Sequence, residues 1–134
     1  MDAAESFAAI CLAAVGCDGQ LGREEAQQLR GQLEFRTPFA GCSDEQMAAL
    51  FDRLLLLLRQ EGWSALVQAA VPALSPPQRE TALALAAHLV RADRQVQPIE
   101  DSFLAELSQA LALPVERADQ ILEVMAVLHR DCLA

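Results

Sequence analysis

The chain has 134 residues and a mass of 14.5 kDa, the size of one domain, so a second full domain is excluded. With 53% hydrophobic and 22% charged residues it is too apolar for a disordered tail, and 25 Ala and 22 Leu against 8 Val, 3 Ile, 2 Thr and no Tyr favour helix over sheet. Its formal charge of -9 sets 19 acidic residues against 10 arginines, with no Lys, which disfavours nucleic acid and anionic lipid as partners and removes Schiff-base chemistry.

Caps and prolines divide the chain into about seven predicted helices. Asp2 and Glu5 form a capping-box pattern ahead of Phe7, Ile10, Ala14 and Val15, predicting a first helix to about Cys17. After Asp18-Gly19, a second helix runs from about Arg23 to Phe35, and the stretch from Arg36 to Cys42, with Pro38 and Gly41, reads as a loop. Ser43 and Gln46 repeat the capping box and open a third helix. Its apolar face, including the run Leu54 to Leu58, marks it as the expected central helix until Gly62 breaks it.

A short fourth helix spans Trp63 to Val71 and stops at Pro72. Ser75, Pro76 and Gln78 launch a fifth, to about Ala92. Stripes at Ile99, Phe103, Leu107 and Leu111, and at Val115, Ala118, Leu122 and Met125, define two more, from Pro98 to Leu111 and from about Val115 to Arg130. The whole of 1–134 is expected to be one all-α domain.

Laying Phe7 to Glu34 over Ala82 to Gln109, at an offset of 75, brings two helix-loop-helix units into register. Ala9, Val15, Asp18, Gln20, Glu25 and Leu29 recur as Ala84, Val90, Asp93, Gln95, Glu100 and Leu104. If Gly22 and Gln97 are the caps, Glu25 and Glu100 both fall at N3, where a carboxylate reaches back to the cap N–H and meets the positive end of the helix dipole. Asp18 and Asp93 face the negative end of the preceding helix and need an offset, either an Asx-turn or a bound cation. An EF-hand is excluded, because Arg23 or Pro98 stands where its Gly is required and Leu29 or Leu104 where its bidentate Glu is required.

Cys11, Cys17, Cys42 and Cys132 form no C-x-x-C pair and are expected to be buried thiols, and His88 and His129 are expected to be isolated imidazoles in or beside the core. Nothing arranges an activated nucleophile or an acid and base, so the chain is expected not to be an enzyme and to carry no organic cofactor. Asp2 and Glu5 occupy the place of a basic leader region, and the longest apolar run, Leu54 to Leu58, has five residues. A cytoplasmic protein without membrane insertion is the expectation.

The segments Ile10 to Glu25 (ICLAAVGCDGQLGREE) and Leu89 to Leu107 (LVRADRQVQPIEDSFLAEL), set in a chain of about seven helices, resemble the tellurite-resistance TerB-like family of small bacterial all-helical proteins. The resemblance implies a link to tellurite resistance or chemical stress. It also implies a divalent cation such as calcium or magnesium held by acidic residues, which fall here on Asp18, Glu25, Asp93 and Glu100; Arg94 stands where the first copy has Gly19. On this reading the protein is an acidic interaction or scaffold module with a protein partner. The alternative is a structural subunit without a metal site that self-associates through the outer side of Leu54 to Leu58.

Overall fold

The computed structural model describes residues 1–17, 23–91 and 98–133. Among the described residues there are six α-helices: α1 (Ala3–Gly16), α2 (Arg23–Leu33), α3 (Asp44–Ala70), α4 (Pro76–Arg91), α5 (Pro98–Ala110) and α6 (Val115–Leu128). Single 3₁₀ turns sit at Phe39–Gly41 and Val71–Ala73, and no strand is present among them. The all-α class expected from composition is observed. The count differs from seven because two expected helices join: at Gly62 the backbone takes φ 86° and ψ 166°, non-helical, yet no loop separates the halves of α3. That region of backbone space is open essentially to glycine alone.

Side-chain caps fix the helix starts. Ser43 accepts from Gln46 N at 3.1 Å while Gln46 Oε1 accepts from Ser43 N at 2.8 Å. Ser75 and Gln78 close the same reciprocal pair at 3.4 and 2.8 Å. At α1 only half of the box forms: Asp2 accepts from Glu5 N at 2.8 Å, but the Glu5 carboxylate pairs with Arg53 of α3 at 2.9 Å. A long-range ion pair has taken the glutamate that the local motif would have used. A second pair, Arg30 with Asp44, ties α2 to the first turn of α3.

The central helix is α1, not α3. Every residue from Ala8 to Ala13 has zero exposure, and α2, α3 and α4 all pack against this helix. The leucine run of α3 lies on the outside of this arrangement. Leu54 is buried, Leu55, Leu57 and Leu58 are partly covered, and Leu56 is 56% exposed, so it offers no continuous leucine face. The reason is steric: a helix surrounded on all sides needs small side chains so that its neighbours can reach close-packing distance, and α1 carries six alanines where α3 carries bulky leucines. Beyond the Gly62 kink, Trp63 meets Phe103 of α5 edge-on, ring centroids 4.8 Å apart.

Arg79, one turn into α4, joins three chain segments without a carboxylate. Its Nε donates to Leu74 O at 3.0 Å, one Nη to Leu111 O at 3.1 Å and the other to Val71 O at 3.2 Å. The fork thus satisfies the Leu74 and Leu111 carbonyls, left over where the Val71–Ala73 turn and α5 end, and adds a second bond to Val71 O, which already accepts from Leu74 N.

Two outcomes test this account. Gly62→Ala should cost about 1–3 kcal/mol because an L side chain is strained at that φ, although a Cβ there would touch nothing. Arg79→Met should cost about 1–3 kcal/mol by stranding the Leu74 and Leu111 carbonyls, Val71 O keeping its bond from Leu74 N, and Arg79→Lys should recover only part of it, since an ammonium lacks the planar fork. Urea denaturation with an unchanged m-value measures both.

Candidate functional site

Among the described residues, the helix boundaries on either side of the two corners repeat. α1 ends at Gly16 and α4 at Arg91, while α2 starts at Arg23 and α5 at Pro98, so both boundaries repeat at the offset of 75 found in the sequence. Glu25 and Glu100 are therefore each the third residue of a helix, the N3 position expected of them. There a carboxylate lies beside free backbone N–H groups and the positive end of the dipole. Glu100 is only 7% exposed, one of two buried polar residues among those described. Glu25 is half-buried, and both carboxylates are engaged with neighbouring groups. Asp18 and Asp93, the other two candidates, lie outside the described residues, as do Gly22 and Gln97.

Two cations border these corners. Arg59 lines a cavity of about 410 Å³ with Gly16, Cys17 and Trp63, at the end of α1. Arg91, the last residue of α4, lines another of about 370 Å³ with Asp101 and Asp119. Among the described residues no group of three or more His, Cys, Asp or Glu is placed to hold a metal. The four residues expected to hold a cation are all carboxylates, a donor set suited to hard ions such as calcium or magnesium and unsuited to thiophilic metals.

The thiols divide. Cys11 and Cys17 are buried as expected, whereas Cys42 and Cys132 are exposed; Cys42 follows the 3₁₀ turn and Cys132 lies beyond α6, where no second layer covers them. Burial pushes the Cys11 thiol up to about 12, against a smaller opposing effect of the Arg36 charge, so it stays protonated and inert at neutral pH.

The family model for tellurite resistance protein TerB matches residues 4–123. The chain belongs to the TerB family. No curated protein and no solved structure shows significant similarity to it. The match spans α1 to α5 and most of α6, including both acidic corners.

In this TerB chain the two histidines are not isolated. His88 of α4 and His129, the C-cap of α6, place Nδ1 and Nε2 2.9 Å apart, with ring centroids separated by 4.9 Å. Gln32 of α2 brings its Nε2 to 3.4 Å from His88 Nε2. An amide nitrogen only donates, so His88 Nε2 is the acceptor and its Nδ1–H donates to His129 Nε2. The pairing escaped sequence reading because the two residues are 41 positions apart and meet only when α6 packs on α4.

Protonating His129 would replace the accepting lone pair with a second N–H and break the bond. Burial of the ring, then the charges of His88 and Arg91, hold the His129 pKa below its ordinary value. The unfolded chain thus takes up this proton at higher pH than the folded one. The stabilisation is complete above about pH 6.5 and is lost as pH falls through the lowered folded value. His129→Ala should cost about 1 kcal/mol near neutral pH and should flatten the acid-side loss of stability, measured as urea midpoints across that range.

Proposed function

We propose that this TerB-family protein is a non-enzymatic, acidic interaction module of the cytoplasm. Its two corners, Asp18 with Glu25 and Asp93 with Glu100, hold a divalent cation such as calcium or magnesium and present it to a protein partner in a response to tellurite or related chemical stress. The observation that carries this reading is the repetition of the corner. Two glutamates occupy the same helical position at the same offset, and one of them, Glu100, is kept at 7% exposure. A carboxylate taken out of water needs compensating charge or hydrogen bonds; Glu100 has a neighbouring group within the chain, and a cation would add to that contact. A net charge of -9 on the chain favours cations over anions at such corners.

Cation binding to the native state raises the melting temperature in proportion to the logarithm of ligand excess. Titration with calcium and with magnesium into metal-free protein should give a concentration-dependent rise. Asp18→Asn combined with Asp93→Asn should remove it while leaving the far-ultraviolet circular dichroism unchanged. No rise at millimolar metal would defeat the cation reading.

One observation favours the second reading, a self-associating subunit, although not through α3. On α6, Val124, Val127 and Leu128 are 64%, 52% and 63% exposed, and they lie within one turn of one another. Light scattering at two concentrations, with Val124→Glu as the control, separates a dimer through this face from a monomeric module.

A further inference from the structure

At the opposite end of α1 from the first acidic corner, the initial turns of α1 and α4 and the segment after α2 enclose a cavity of about 490 Å³. This is within the range of small-molecule sites. Its walls are mainly apolar, with Ala4, Phe7, Phe39, Leu74 and Pro77 beside the polar Thr37, Gln78 and Thr81, and Arg36 is the only charged lining residue among those described.

Arg36 is placed unlike Arg30, Arg53, Arg79 and Arg117. Arg30, Arg53 and Arg117 each pair with a carboxylate, and Arg79 spends its donors on three carbonyls. Arg36 forms no ion pair among the described residues. Its guanidinium carbon lies 5.5 Å from the Phe35 ring centroid, and its Nε is buried without an acceptor. A buried N–H without an acceptor is costly, and the chain's 19 acidic residues include no carboxylate paired with this guanidinium among those described. The Nε itself is sealed from the cavity, so a ligand there would meet the two terminal guanidinium nitrogens, whose charge no carboxylate neutralises among the described residues. Arg91 also has a buried Nε without a partner, but it shares its cavity with Asp101 and Asp119, so an anion there would meet like charge.

We propose that this cavity binds a small amphiphilic carboxylate, with the head group on the Arg36 guanidinium and an aliphatic body against Phe7, Phe39 and Leu74. A planar carboxylate matches the guanidinium fork. One cation with no second basic residue in the lining selects a single negative charge, and the apolar walls select a hydrocarbon body over a sugar or a nucleotide. The site is separate from the acidic corners and does not depend on the cation reading.

The test uses octanoate, octanol and octylamine on the full chain, all below their micellar concentrations, followed by calorimetry and thermal shift. Octanoate should bind saturably and raise the melting temperature, with octanol and octylamine at least tenfold weaker. Arg36→Gln should weaken octanoate at least tenfold and leave octanol unchanged. Thr81→Trp, at an exposed position on the cavity lining, should block all three. Equal affinity for octanoate and octanol, undiminished octanoate binding by Arg36→Gln, or no saturable binding at millimolar octanoate would each overturn the proposal. Should Arg36→Gln not fold, the comparison of the three ligands on the unmodified chain, together with Arg36→Lys, still decides it.

Discussion

The architecture depends on one helix having almost no side-chain bulk. Six of the fourteen residues of α1 are alanine, and from Ala8 to Ala13 none is exposed. Helix axes approach to about 8–10 Å only where the contact residues permit it, and an alanine-rich rod permits it on every side. α2, α3 and α4 can therefore share a single core element. Larger side chains at Ala8, Ala9 or Ala13 would push these neighbours outward together, because close-packed interiors pass on a change in volume instead of absorbing it. The chemistry of α1 is correspondingly muted: Cys11 is held as a neutral thiol by its burial.

This hub also makes the two hairpins unequal. α1–α2 and α4–α5 repeat at the corner, where α1 and α4 end and α2 and α5 begin at one offset, but α1 packs against α2, α3 and α4 whereas α4 packs against α1, α5 and α6. Equivalent positions then experience different surroundings. Leu29 and Leu104 are both buried, at 0% and 3%, so the hydrophobic anchor of the second helix is kept in both copies. The glutamates differ, one half-buried and one nearly sealed. A charge interaction made at the more enclosed copy is the stronger of the two, because less water screens it.

Local signals were legible wherever the physics was local. The Ser43 and Ser75 boxes, the break at Gly62, the start of α2 at Arg23 and of α5 at Pro98, and the resulting N3 glutamates all follow from residues a few positions apart. What was hidden depends on tertiary arrangement. Glu5 leaves its box for Arg53, 48 positions on, and His88 finds His129 across 41. The identity of the central helix was masked by a bias toward large apolar residues: Leu54 to Leu58 suggest a core, but enclosure requires close approach, and alanine allows it. Asp18 and Asp93 lie outside the described residues, so for the candidate site only the glutamate half of each corner was both read and located.

The directions of the helices distribute charge along the molecule. The first turns of α1 and α4 line the same cavity and the two helices pack together, so they run in the same sense and their positive dipole ends are gathered beside Arg36. Their negative ends lie at the far side, where α2 and α5 begin. Each corner thus joins a negative helix end to a positive one, and the two backbone fields largely offset each other there. The net character of a corner is left to its side chains, Asp and Glu against a nearby Arg59 or Arg91. At the cavity end the Asp2 carboxylate caps the start of α1, while the start of α4 has no acidic residue in its first turn and Arg36 has no ion pair among the described residues. The Arg36 cavity and the repeated glutamates Glu25 and Glu100 thus lie toward opposite ends of one alanine-rich helix in a chain that is strongly acidic as a whole.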